Sequence, residues 1–169
     1  TLTIKVNSDS YPVTVSNGIF EKVVTFTEEK TYQIEVTATD AGGNTTTITR
    51  NVVYDKTQPV FTVNPVTTPT NQDSQTLYGT REAKAIITAT CNTAATVETV
   101  SYPSETTWSI VLTNLVDGAN TITLTAIDAA GNTTVTTTSI FLDRTIEIAV
   151  ISGTPNSPTK TTSATMNIG

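Results

Sequence analysis

The chain has 169 residues, of which 37% are apolar, 14% charged and 6% aromatic, and its mean hydropathy of −0.05 suits a folded core and argues against disordered or membrane-spanning chains. With no histidine and one cysteine, Cys91, it lacks the means for histidine-based dyads or triads, His/Cys zinc sites and internal disulfides. A net charge of −6 gives no electrostatic reason to meet nucleic acid or an anionic membrane surface, and makes divalent cations the better-matched ions.

Forty-one threonines, close to a quarter of the chain, favour strands, because a β-branched side chain is stiff at χ1 and packs well on a pleated surface. In chain order, Thr1–Val6 reads as a strand, followed by a segment that turns Phe20, Val24 and Phe26 inward. The next strand places Ile34, Val36 and Ala38 on one face, and Asp40-Ala-Gly-Gly-Asn44 closes a hairpin. Beyond residue 58 the predicted strands are Ser74–Gly79, Ala83–Cys91, Thr96–Tyr102, Thr107–Thr113, Asn120–Ile127 and Thr133–Leu142. Alternation puts Trp108, Ile110 and Leu112, then Ile122, Leu124 and Ala126, toward a core. The loops Asp117-Gly-Ala-Asn120 and Asp128-Ala-Ala-Gly-Asn132 carry turn chemistry, an acidic acceptor followed by glycine. These short strands with regular turns predict an all-β sandwich. No apolar run approaches the roughly 20 residues that cross a bilayer, so no membrane insertion is expected. The opening residues lack the layout of a signal peptide, so the sequence reads as a mature or excised segment. A cysteine-poor, Thr/Ser/Asn-rich acidic chain is common among exported bacterial or archaeal proteins, which points to an extracellular or cell-surface location.

The chain also repeats itself. Tyr32–Thr46 returns 88 positions later as Asn120–Thr134, and twelve of the 24 positions from Ile34 to Thr57 are identical at that offset, among them Asp40/Asp128, Asn44/Asn132 and Asp55/Asp143. The same shift places Phe20 on Trp108. A third copy begins where Pro158–Met166 echoes Pro69–Leu77. The expected units are therefore 1–57, lacking its first strand; 58–145, complete; and 146–169, the first strand or strands of a third. Thr1–Val6 matches the region of Ala85 to Thr90, and the tail joined to the head comes close to one whole repeat. Either the segment is cut from a longer array in mid-unit, or the tail Ser157–Gly169 completes the open sandwich of the next chain and builds an open-ended fibre.

The run from Trp108 to Leu112, the Asp117-Gly-Ala-Asn turn, Ala126-Ile-Asp128-Ala-Ala-Gly-Asn132 and the exit Asp143-Arg-Thr together resemble bacterial Ig-like domain repeats of the glucodextranase domain-B type. The first unit matches through Thr37-Ala-Thr-Asp40-Ala-Gly-Gly-Asn44 and Tyr54-Asp55-Lys-Thr-Gln-Pro59, with Phe20 in place of tryptophan; Glu147 stands where the second exit would carry proline. The resemblance implies tandem Ig-like β-sandwich domains on exported, cell-surface proteins and no single activity. It also gives Tyr32 and Asn120, which open the penultimate strands, the task of tying strand to turn by a side-chain hydrogen bond.

The recurring acids have two readings. Hairpin acids bond their own turn amides and exit acids face solvent, which turn chemistry alone explains for the hairpins. Alternatively Asp40, Asn44, Asp55, Asp128, Asn132 and Asp143 gather oxygen ligands for Ca²⁺ between stacked units, although no cofactor is required. Cys91 reads as a small core residue. Asn44-Thr-Thr and Asn132-Thr-Thr match the glycan acceptor pattern. Nothing supplies a nucleophile with a base, so the chain is not expected to be an enzyme. The expected role is structural: a spacer, stalk, adhesin shaft or filament subunit whose partners are neighbouring repeats or copies of itself, head to tail. The alternative is a glycan- or ligand-binding adhesin, or an accessory module of a secreted carbohydrate-active enzyme.

Overall fold

The computed structural model describes residues 1–146 and the backbone of 151–152 and 167–168. Every regular element within them is a strand: β1 Leu2–Val6, β2 Asp9–Val13, β3 Lys30–Thr39, β4 Thr45–Tyr54, β5 Gln75–Thr80, β6 Ile86–Cys91, β7 Thr96–Val97, β8 Ser101–Ser104, β9 Thr107–Thr113, β10 Gly118–Ile127, β11 Thr133–Leu142, β12 Ile151–Ser152 and β13 Asn167–Ile168.

Strands β5 to β11, in the second of the expected units, form a two-sheet sandwich. One sheet runs β11-β10-β6; the other is built on β9, which pairs β5 on one side and β7 and β8 on the other. Period-two alternation assigns the faces. Ile122, Leu124 and Ala126 of β10 are completely buried, and opposite them lie Trp108, Ile110 and Leu112 of β9 with Leu77 of β5. Thr121, Thr123 and Thr125 fill the alternate positions of β10. Burying these side chains stabilises the sandwich by about 1.5–3 kcal/mol for each large one. The Trp108 indole donates to the carbonyls of Thr62 (3.0 Å) and Thr80 (3.2 Å), so its one polar atom is satisfied inside the core. Gly79 is required beside it, since a Cβ there would stand 2.0 Å from the Thr62 carbonyl oxygen.

The expected strand Thr96–Tyr102 is two short strands, because residues 98–100 break the ladder between β7 and β8. A further stretch escaped the sequence reading: Thr62 and Asn64 donate to the carbonyls of Thr80 and Tyr78, laying residues 61–64 beside β5.

The first unit is built differently. Its single sheet runs β2-β1-β3-β4. In it β1 pairs β3 with Ile4 opposite Val36, as β6 pairs β10 with Ala89 opposite Leu124, so β1 is the counterpart of β6. An asparagine closes each ladder: Asn7 Oδ1 accepts from Gln33 N (3.0 Å), and Asn92 Oδ1 from Thr121 N (2.7 Å). Asn7 adopts φ 55°, which lets the chain reverse in two residues into β2. The separate core of this unit comprises Ile4, Val6 and Tyr32, with Tyr11, Val13, Val24, Phe26, Ile34, Val36 and Tyr54 against it.

The expectation that Phe20 occupies the place of Trp108 is overturned. Phe20 is 42% exposed, Ala38 is exposed too, and residues 20–29 form no strand. The physical reason is a missing partner. In the second unit β9 is held by the β5 ladder, whereas among the described residues of the first unit nothing corresponds to β5. Val24 and Phe26 still reach the core, Phe26 lying 4.6 Å from the ring of Tyr32.

In the tail, β12 and β13 pair antiparallel, with Ser152 opposite Asn167. Asn64 and Tyr78, 88 and 89 positions earlier, are joined in the same way. The echo of Pro69–Leu77 at Pro158–Met166 lies outside the described residues.

Trp108→Ala should cost about 3–5 kcal/mol in urea unfolding, the usual loss for a buried aromatic. Gly79→Ala should cost at least about 1–3 kcal/mol, because backbone must move to admit the methyl group. An unchanged midpoint for either would contradict the packing described.

Candidate functional site

At each hairpin tip one aspartate closes its own loop. Asp128 Oδ1 accepts the N–H groups of Ala130 and Asn132, both at 2.8 Å, while Oδ2 accepts from Asn132 Nδ2 at 2.8 Å. Asp40 does the same with Asn44, through its backbone N–H and its amide, each at 2.8 Å. Gly43 (φ 84°) and Gly131 (φ 92°) supply the left-handed residue before each asparagine. These bonds favour the charged form. Asp40 lies below the ordinary aspartate pKa, chiefly through the Asn44 side chain and backbone. For Asp128 partial desolvation pushes the pKa upward, but the combined bonds from Asn132, Ala130 and Gly131 outweigh it and the net shift is downward.

The exit acids are held as locally. Thr57 N donates to Asp55 Oδ1 and Thr145 N to Asp143 Oδ1, both at 2.9 Å. The pKa of Asp143 is lowered by the Thr145 hydroxyl and backbone.

Two of the expected site residues meet across the repeat junction. Asn132 Nδ2 donates to the main-chain carbonyl of Asp55 (3.2 Å), and two residues on, Thr134 Oγ1 donates to the carbonyl of Pro59 (2.7 Å). The hairpin of the second unit thus grips the segment that enters it from the first. Asp40 with Asn44 stands at the other unit's hairpin, and Asp143 borders a cleft with Pro69, Thr70 and Gln72. The six residues do not converge, and among the described residues no three carboxylates lie close enough to hold a metal ion.

A second set of contacts escaped the sequence reading. Arg144 binds the Asp117 carboxylate through two nitrogens (2.9 and 3.2 Å), tying the exit segment to the β9–β10 loop. In the first unit Glu29 does this work, accepting from Lys56 N and from Thr57 Oγ1 (3.1 Å). The signal was present: Glu29/Asp117 and Lys56/Arg144 are like-charged pairs at the 88-residue offset.

The strand-to-turn ties are present in both units. Tyr32 Oη donates to the Glu28 carbonyl (3.0 Å) and accepts from Glu28 N (3.2 Å). Asn120, fully buried, accepts from Val116 N (3.0 Å) and Thr93 Oγ1 (2.7 Å) and donates to Val116 O (2.7 Å). Different side chains reach back to the same place, four residues upstream. Cys91 is half-buried against the core, its sulfur 3.3 Å from Thr93 Oγ1.

The family model of the bacterial Ig-like domain matches residues 3–56 and again residues 62–144. The chain belongs to that family. No curated protein matches the chain. Among solved structures, this Ig-like chain is similar to domains 4 and 5 of the S-layer protein SbsC, with TM-score 0.40, 15% identity, and 83% of this chain covering 70% of that one. It is also similar to a longer SbsC segment, residues 31–844 (TM-score 0.37, 17% identity), and to SbsC domains 1–6 (TM-score 0.34, 18% identity). In each of the latter two, 89% of this chain covers 21% of the other.

Asn120→Ala should destabilise the second unit by about 1–3 kcal/mol, because it strands a buried N–H and carbonyl. Tyr32→Phe should cost the first unit about 1 kcal/mol. Carboxylates held below their ordinary pKa contribute stability above it and lose that contribution as pH falls through the folded-state value. The melting temperature should therefore be flat from neutral pH to about 5 and fall only below about pH 4. Asp128→Asn should lower the neutral-pH melting temperature and flatten the acid decline, which a pH series of thermal melts would read.

Proposed function

We propose that the chain is a structural segment of an exported cell-surface protein, with Ig-like units at 1–57, 58–145 and from 146 onward stacked end to end as a spacer or stalk. Its work is to span distance and present neighbouring repeats, and catalysis is no part of it. The observation that carries this reading is the junction, where the Asn132 amide and the Thr134 hydroxyl hold the incoming backbone at Asp55 and Pro59. Family membership supports it, as does a composition free of histidine. Among the described residues no helix is long and apolar enough to cross a membrane. Carried from chain to chain, the same stacking makes the protein a filament subunit.

The junction needs no metal in this reading. Ca²⁺ takes six to eight oxygens, whereas the nearby carboxylates are already accepting N–H groups in their own turns. Nor is Tyr102 free to take a sugar: its hydroxyl is bonded to Ile87, and the Arg81 guanidinium lies 4.0 Å above its ring.

Small-angle scattering of the full chain should show a fixed separation between the first two units. Thr134→Val, which removes a junction bond and spares the hairpin bonds of Asn132, should broaden that separation without lowering the melting temperature of either unit; identical scattering would sink the junction's role. A chelator should leave the melting temperature unmoved, and a downward shift would restore the calcium reading. A glycan array probed with the full chain should yield no reproducible hit, and a consistent one would favour the adhesin alternative.

A further inference from the structure

The second unit is entered and left at opposite ends of one strand. Pro59, fully buried, meets β11 near its start, where Thr134 Oγ1 donates to its carbonyl at 2.7 Å. The chain then runs in the direction of β11, with Phe61 and Val63 packed on the core and a groove of about 420 Å³ between residues 61–65 and 134–138. At the far end the two segments join, Thr70 lying opposite Leu142 in a parallel bridge. Thr70 N donates to Phe141 O (3.0 Å) and Asp143 N to Thr70 O (2.9 Å), while Thr68 Oγ1 accepts from Phe141 N (2.9 Å). Thr70 is buried, and its hydroxyl accepts from Gln72 N (3.1 Å) and Gln75 Nε2 (3.2 Å), which fixes it to the loop before β5.

Among the described residues every ladder of this unit is antiparallel, and the entry segment against β11 is the exception. The difference matters under tension. A pull along the chain draws the entry segment back toward the β10–β11 hairpin and draws β11 forward toward its exit. Parallel neighbours are thereby driven lengthwise past one another, so the bonds among Thr68, Thr70, Phe141 and Asp143 are strained together. An antiparallel pair pulled from one end opens bond by bond, each rupture being small. Everything between Thr70 and Leu142, including the whole of β5 to β10, is shielded from the pull until the parallel contact gives way.

We infer that residues 68–70 and 141–143 form a shear clamp, through which the second unit keeps its length when the chain is stretched. The inference rests on the spacer reading and deepens it, by giving the spacer resistance to tension. Forced unfolding is governed by the rate of crossing the unfolding barrier. Bonds already broken at the barrier set that rate, and bonds still intact there do not. The clamp bonds break at the barrier. Asn120, which ties β10 to its own loop through Val116, is still in place. Resistance to heat and resistance to tension therefore reside in different residues, and Thr68, exposed at the rim of the sandwich, serves the second with little part in the first.

Single full-length chains held by their two termini under constant load test this. Opening of the second unit is recognised by its gain in length, roughly 240–260 Å for the chain between Thr70 and Leu142 at about 3.3–3.6 Å per residue. Thr68→Val removes the acceptor for Phe141 N and should speed that event about fivefold, the effect of one hydrogen bond. Asn120→Ala should lower the melting temperature more than Thr68→Val does, yet leave the rate under load within about twofold of the unaltered chain. The unaltered chain supplies a second measurement. Pulling between its N terminus and a handle at Ala130, exposed on the hairpin beside the point of entry, peels the entry segment from β11 and should open the unit faster at the same load. Equal rates in the two directions would overturn the inference. So would an unchanged rate in Thr68→Val, or an Asn120→Ala chain that opens under load as fast as Thr68→Val. Any of these would leave the spacer reading standing, because that reading depends on the Asn132 and Thr134 contacts at the junction.

Discussion

A sheet whose apolar side chains all point one way is stable only when a second layer takes those side chains out of water. The second unit meets that requirement within its own sequence: Leu77, Trp108, Ile110 and Leu112 close over Ile122, Leu124 and Ile140. Its closeness of fit is visible at Gly79, where the chain passes so near the Thr62 carbonyl that only hydrogen is tolerated. In the first unit β1, β3 and β4 make the counterpart of the β6, β10 and β11 frame, and among the described residues no second sheet lies over it. Its consequences follow in order: residues 20–29 find no ladder, β2 folds back on β1, and Ile48 and Phe20 face solvent.

The junction uses small polar side chains for two tasks at once. Asn132 closes its hairpin through Asp128 and reaches the Asp55 carbonyl of the preceding segment. The acceptor is backbone, so the contact depends on where the chain runs and little on which side chains it bears. Exit segments are fastened by an acid in the β9–β10 loop or its equivalent, Asp117 to Arg144 and Glu29 to Lys56 and Thr57. The salt bridge is exposed and worth little in isolation. Its effect is to hold Arg144, and with it the exit segment, against the β9–β10 loop.

Repeat units that contact only their neighbours share out stability unevenly. The second unit has a closed core and a buried, fully bonded asparagine; the first has a smaller core knit by Tyr32, Phe26 and Tyr54. Local opening should therefore begin in the first unit, at residues 14–29, where the backbone has few partners.

Much of this was legible in the residues themselves. Period-two alternation placed Ile122, Leu124 and Ala126 inside, and the Asp-x-x-Gly-Asn spacing determined two hairpins, because face and turn are local properties of a few consecutive residues. The 88-residue recurrence was legible for the same reason, as matching residues at a fixed offset. Where the reasoning passed from one copy to the other it failed at Phe20: identity of position does not carry identity of partner, and the strand that buries Trp108 comes from a distant part of the chain. Only the tertiary structure decided which carbonyls Asn132 and Thr134 would meet and which loop acid would fasten which exit segment. Those outcomes depend on long-range pairing, and a side chain carries no record of a neighbour that folding brings to it from many residues away.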